Sequence, residues 1–401
     1  MPLNNNQYNS FLESVAQDLD IPPSKYQQAV DRYKSVGRWL QDGVDVGAGE
    51  ELRIYTQGSF RLGTVVRPLS DGSEADYDID LVCELPCHHQ SMGAHAVKHD
   101  IGNRLKESET YRRMLDKEGR RCWTLDYAEQ DGIGFHLDVL PSASRTPGSF
   151  DTSISITHRE KNAYSWYSSD PNGYANWFYE LNRAAYRLAE HQQKTAIQRQ
   201  HGSLYASIDE VPDQLIRTPL QRAIQLMKRH RDQRFDDHMM SDASPISMII
   251  TTLAAHLYAN ESDVRSTLLN IITRMQAHNS LLRNEALKDS FLAERALIQK
   301  RDDGTWYIGN PVNPDENFAD RWHEDNHARA RAFFQWVEWL KEDFINVEGS
   351  SESAVVQKAL SQAVGAALVS RHALLLGMEN DANTPPARKV NITSAPQPWR
   401  I

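Results

Sequence analysis

The chain has 401 residues and a net charge of −10, from 44 Lys and Arg against 54 Asp and Glu, with 40% hydrophobic and 24% charged residues. This is the composition of an ordinary soluble globular protein with room for two core-bearing units, and its acidic balance excludes a dedicated binder of long nucleic acid without excluding nucleotides. Three cysteines, Cys83, Cys87 and Cys122, form no disulfide framework; with no signal-peptide pattern in residues 1–20 and no apolar run near the roughly 20 residues of a membrane span, the expectation is a cytoplasmic protein.

Residues 1–20 are helix-like, and Pro22-Pro23-Ser24 marks a break before a second helix. Val30, Tyr33, Val36, Trp39 and Leu40 give that helix its stripe. Gly43 to Gly49 reads as a loop, and Leu52 to Gln57 as a short strand. A Gly58-Ser59 turn follows, and twenty residues beyond Gly58 comes a strand bearing Asp78 and Asp80. Ala94, Val97, Ile101 and Leu105 mark the next helix. Residues 122–127 and Phe135 to Leu140 read as a hairpin turned at Asp131-Gly132 and ended by Pro141. Residues 141–173 are rich in Ser, Thr, Pro and Gly and read as a transition between units. Helices are expected near 174–198, 219–234, 245–258, 263–283, 327–345 and 352–370, with Thr305 to Phe318 as a proline-set loop. The expected division is residues 1–165, residues 166–378 and a polar tail at 379–401.

The chemistry concentrates in the first unit. Residues two apart on a strand share a face, so Asp78 and Asp80 point together while Tyr77, Ile79, Leu81 and Cys83 point into a core. Asp138 follows the same logic on the strand FHLDVL, with His136 on its face. Carboxylates on apolar strands are costly unless a cation offsets them. Gly58 lets the backbone approach a ligand, and exposed amides in such a turn attract phosphates. Three carboxylates with a phosphate cradle suit metal-assisted phosphoryl transfer. Cys83, Cys87, His88 and His89 suggest zinc, but a second Cys-x-x-Cys is missing and Cys83 lies on the core face.

Gln57-Gly58-Ser59-Phe60, Gly63-Thr64, Arg67-Pro68, Asp78-Ile79-Asp80-Leu81 and His136-Leu137-Asp138-Val139 together resemble the polymerase-β-type nucleotidyltransferase superfamily. Within it, the chain is similar to the bacterial cGAS/DncV-like nucleotidyltransferases (CD-NTases) of anti-phage signalling, also through Ser169 to Phe178 and Asn310 to Phe318. The resemblance implies an α+β fold, with a polymerase-β-like mixed sheet and a helical C-terminal domain closing the cleft. It implies template-free joining of ATP and GTP into a cyclic di- or trinucleotide that activates a separate effector. It implies Mg²⁺, with Mn²⁺ as the other candidate, on Asp78, Asp80 and Asp138, and Gln57, Gly58 and Ser59 on the triphosphate. A family lysine that touches the triphosphate matches Lys228, with a solvated charge as the competing reading. Ser247 matches the serine that joins it, with Ser244 as a mere N-cap competitor. Tyr164, Trp166 and Tyr174 are candidates to stack on a base, and Asn310 and Asn313 to read one. A monomer is expected, with neither membrane nor long nucleic acid as partner. The rival readings are a linear 2′–5′ oligoadenylate-type synthetase and a non-catalytic nucleotide-sensing module.

Overall fold

The computed structural model describes residues 4–44, 50–67, 69–70, 73–74, 77–130, 133–146, 151–236, 239–283, 297–348, 350 and 352–377. The Asp131-Gly132 turn and the tail from Glu379 lie outside the described residues. Two helices open the chain, α1 (Asn5–Asp18) and α2 (Pro23–Gln41), separated at the double proline. Asn4 caps α1 by accepting from the Asn6 amide, and Pro23 stands in the first turn of α2, where a missing N–H costs nothing. Their apolar stripes go to different cores. Tyr8, Phe11, Leu12 and Val15 of α1 pack with the helices of the C-terminal half, whereas Tyr26, Val30, Val36 and Leu40 of α2 pack under the sheet.

The sheet is mixed. β1 (Arg53–Gln57) leads through the short helix α3 (Gly58–Leu62) and the two-residue strands β2 (Leu69–Ser70) and β3 (Ser73–Glu74) to β4 (Tyr77–His88). Helices α4 (Ala94–Glu107) and α5 (Glu109–Met114) follow, then β5 (Trp123–Gln130), β6 (Ile133–Ser144), β7 (Ile154–Glu160) and β8 (Ala163–Ser169). The strand order is β1-β4-β6-β7-β8, with β5 also on β6. β4 and β6 run parallel, and the other pairings in this sheet are antiparallel. Tyr77, Ile79, Leu81 and Cys83 are buried against Val97, Ile101 and Leu105 of α4, so Asp78 and Asp80 take the opposite face, as the alternation predicts.

Pro141 does not end its strand. β6 passes through it to Ser144, and residues 154–169 form two further strands where a transition loop was expected. The reason is a change of neighbour: β5 pairs up to Val139, and β7 takes over at Ser142. Pro141 falls in the gap, where its missing N–H is not needed on that side.

The second half contains α6 (Pro171–Gln200), α7 (Pro219–Phe235), α8 (Ser247–Leu257) and α9 (Val264–Gln276), and later the helices Ala328–Leu340 and Ser353–Val364. Between them lie β9 (Gln299–Lys300) paired with β10 (Trp306–Tyr307), and β11 (Gly309–Asn310) paired with β12 (Asn313–Asn317). The expected Thr305–Phe318 loop is therefore built largely of paired strands. Asparagine side chains close its turns: Asn310 accepts from the Val312 amide at 3.0 Å, and Asn317 from the Ile308 amide at 2.9 Å. Among the described residues, no helix is long and apolar enough to cross a membrane.

Candidate active site

Strand register aligns the carboxylates. Asp80 on β4 pairs with Gln57 of β1 on one side and with Asp138 of β6 on the other, and Asp138 pairs with Thr124 of β5. One row across four strands thus reads Gln57, Asp80, Asp138, Thr124. Two residues along, Asp78, His136 and Asp126 form a second row on the same face. Thr124 Oγ1 donates to Asp138 Oδ1 at 2.5 Å, and His136 Nδ1 lies 2.7 Å from Asp126 Oδ1. Asp78 is exposed and Asp80 half-buried. Burial, then the charges of Asp138 and Asp78, push the Asp80 carboxyl up to about 7, against an opposing pull from Lys228.

Gly58 closes over this row. Its φ is +62°, and a Cβ there would stand 2.3 Å from Asp80 Oδ2. Both the left-handed backbone and the close approach require glycine. Ser59 follows in α3 and is half-buried.

Helix α7 clamps the segment beyond this turn. Thr218 and Gln221 form a capping box at its start. Gln221 Nε2 donates to the Leu62 carbonyl at 2.8 Å, Gln225 Nε2 to the Val65 carbonyl at 2.8 Å, and Lys228 Nζ to the Thr64 carbonyl at 3.1 Å and its hydroxyl at 3.2 Å. These three residues recur at i, i+4 and i+7, so one face of α7 is polar yet buried. Gln221 and Gln225 went unnoticed in the sequence, although polar residues continuing a buried stripe were the available signal. Lys228 is buried rather than solvated. Burial, then Arg231, lower its ammonium to about 7, while Asp232 and Asp80 act the other way. Ser247 stands at the first position of α8, and its Oγ accepts from Arg231 at 3.0 Å.

Gln57, Gly58, Asp80 and Asp138 line a cavity of about 490 Å³; Asp78, Ser59, Lys228 and Ser247 are not on its wall. The end of β8, the start of α6 and the β11–β12 hairpin complete the wall, through Ser169, Tyr174, Asn310 and Glu316. Of the proposed base stackers, Tyr174 lines the cavity but is buried, its hydroxyl 2.8 Å from Thr252 Oγ1. Tyr164 turns away to bond Glu118, and Trp166 packs beside the sheet core. Tyr167, one strand position beyond Trp166, also lines the cavity, stacked on His158 at 4.2 Å. Asn310 lies on the wall; Asn313 instead donates to Ser168 Oγ at 2.8 Å. Arg61 and Arg121 supply cavity cations that the sequence reading overlooked. Arg61 contacts Asn172 at the start of α6, joining the two halves.

Among the described residues, no three His, Cys, Asp or Glu side chains gather into a ready-made metal cage. The donor set nonetheless fits a hard divalent cation. Mg²⁺ binds through one or two carboxylates plus nucleotide oxygens rather than an all-protein cage, and Asp80 and Asp138 side by side, one strongly disfavoured as an anion, are such a pair. The cysteine–histidine cluster shows no zinc geometry: Cys83 is buried and Cys87 Sγ contacts Met92 Sδ at 3.7 Å.

Residues 5–182 match the Second Messenger Oligonucleotide or Dinucleotide Synthetase domain. A c-di-GMP synthase of Roseivirga ehrenbergii is 27% identical over 361 residues, covering 88% of this chain and 84% of the relative. The cyclic dinucleotide synthase CdnG of Bradyrhizobium diazoefficiens is 26% identical over 328 residues, covering 79% and 70%. The structure of that CdnG in complex with GTP superposes with a TM-score of 0.67 at 22% identity, over 92% of this chain and 99% of the other. Vibrio cholerae DncV, a cyclic AMP-GMP synthase solved with a linear intermediate, gives 0.55 at 14% identity, over 91% and 96%.

Proposed function

We propose that the chain is one of the bacterial cGAS/DncV-like nucleotidyltransferases and that it joins two nucleoside triphosphates, GTP foremost, into a cyclic dinucleotide. The pairing of Asp80 with Asp138 across parallel strands, under the glycine of a phosphate-type turn, carries this reading. In it, a ribose hydroxyl attacks an α-phosphate and pyrophosphate leaves, twice, to close a ring. Asp78, Asp80 and Asp138 would hold Mg²⁺, or Mn²⁺ in its place, which supplies positive charge for the triphosphate. The chain's own groups do the rest. Gln57, Gly58 and Ser59 border the triphosphate. Lys228, buried behind the cavity wall on the Thr64 carbonyl and hydroxyl, would when protonated lend its remaining donor to a phosphate oxygen. Arg231 and Ser247 stand next to it. Asp138, steadied by Thr124, accepts the proton of the attacking hydroxyl. The product would act on a separate effector in anti-phage defence.

Incubation of the purified protein with ATP, GTP, CTP and UTP and Mg²⁺, then phosphatase and mass spectrometry, tests the reading. A phosphatase-resistant cyclic dinucleotide is expected. Only linear or protein-attached nucleotide would overturn it.

A further inference from the structure

The cavity wall carries carboxylates in two different settings. Asp80 and Asp138 on the sheet are one. In the other, Glu316 of β12 accepts from Ser169 Oγ at 3.2 and 3.3 Å and from Asn310 Nδ2 at 2.8 Å. Both donors are neutral. Among the described residues, Glu316 makes no ion pair; burial holds its carboxyl above the usual range, against the hydrogen bonds from Asn310 and Ser169 and the more distant charge of Arg121, also on the cavity wall. A recessed carboxylate without a counter-ion is a costly feature to keep. Its two anchors fix its orientation and still leave acceptor positions open, because a carboxylate has about four. Leu140, Ile156, Tyr167 and Phe318 supply apolar and aromatic surface on the same walls. The pocket therefore suits a flat, largely apolar ring whose edge presents adjacent N–H donors.

Among the four bases, guanine alone presents two such donors side by side, at N1 and N2. Adenine and cytosine pair an amino donor with a ring-nitrogen acceptor, whose lone pair would face the carboxylate. Uracil has one N–H between two carbonyls. We propose that Glu316, held by Ser169 and Asn310, reads the N1–N2 edge of guanine and makes GTP the preferred nucleotide. This rests on the nucleotidyl-transfer reading of the same cavity.

The test compares the full chain with its Glu316→Gln variant. Affinity is measured by calorimetry with the α,β-methylene analogues of GTP and ATP in Mg²⁺, and turnover by pyrophosphate release. The wild type is expected to prefer the guanine analogue. Glu316→Gln offers one acceptor and one donor, the complement of adenine. It should lower kcat/KM for GTP by about 100-fold, since a site built around a hydrogen bond discriminates strongly, and narrow or reverse the GTP-to-ATP ratio. An unchanged ratio in the folded variant, or a wild type that prefers ATP, overturns the proposal. If Glu316→Gln does not fold, Asn310→Ala decides: loss of one anchor should reduce selectivity by roughly 3- to 10-fold, and undiminished selectivity overturns the assignment. Guanine-selective binding that depends on Glu316, without any nucleotidyl transfer, would uphold the base reader and defeat the synthase reading. A wild type that binds neither analogue defeats both.

Discussion

The two walls of the cavity are made differently. The carboxylate wall consists of neighbouring strands, so its side chains are placed by parity and register, and Asp80 and Asp138 are each held on two sides by backbone pairing. The other wall is a short hairpin and a strand end, joined through side chains: Ser169 to Glu316, Asn313 to Ser168, and Arg145 to Asp315 at 3.4 Å. The first arrangement tolerates unfavourable charge because the ladder holds it in place. The second can vary one residue at a time, which suits a surface that selects among similar bases. Chemistry should therefore fail outright when the sheet wall changes, whereas specificity should shift when the hairpin wall does.

Asp80→Asn is the sharpest way to break this contrast. Turnover should fall by about 1,000-fold or more, the loss of several kcal/mol of charge stabilisation in the transition state. The fold should survive, because the variant removes a carboxylate that burial and two like charges disfavour. Melting at pH 8 is expected at or above the wild-type temperature. Residual turnover near the wild-type level would remove Asp80 from the machinery.

Gly58→Ala comes next. Left-handed backbone costs an alanine only about 1–2 kcal/mol, which a domain can absorb. The decisive effect is contact, since the new Cβ would stand 2.3 Å from Asp80 Oδ2. Displacing Asp80 should cost about 100-fold in kcat with a melting temperature lower by a few degrees. Equal loss in both would mark Gly58 as merely structural. Lys228→Met keeps the length of the stem and removes the charge. It should reduce kcat/KM by roughly 10- to 100-fold and raise KM for nucleotide, without the stability loss expected of a broken ion pair, since its partners are the Thr64 carbonyl and hydroxyl. Unchanged KM and kcat would sever Lys228 from the triphosphate.

Legibility in the sequence followed the same divide. Strand alternation alone puts Asp78, Asp80, His136 and Asp138 on one face, because the period of a strand is a local property. Helices were readable from their stripes for the same reason. What stayed hidden depended on partners distant in the chain. Pro141 reads as a stop until β5 and β7 are known to exchange places beside it. Residues 305–318 read as loop because strands of two to five residues are too short to show a period. Glu316 carries no local signal; its role arises from Ser169, 147 positions away.

The smallest expected effect lies at the seam between the halves, where the difference between holding and reacting can be tested directly. Asp20, just after α1, accepts from Arg222 at 2.7 Å, from Arg217 at 3.1 Å and from Gln225 at 2.9 Å. Burial opposes its ionisation, but Arg222 and Arg217 prevail and hold the carboxyl below its usual range. Gln225 also grips the Val65 carbonyl beyond the Gly58 turn, so Asp20 supports the site without touching it. Asp20→Asn should cost about 2 kcal/mol of stability at pH 7, the scale of hydrogen bonds to charged groups, and change kcat by less than about 2-fold. Because the folded carboxyl titrates below the unfolded one, its contribution is complete above about pH 5 and is lost as the pH falls below about 4 through the folded value. The gap in unfolding free energy between wild type and variant, measured by urea titration from pH 7 to pH 3, should be constant at first and close at the acid end. A gap that widened on acidification would show that Asp20 is held as the neutral acid, and that the two arginines serve some other partner.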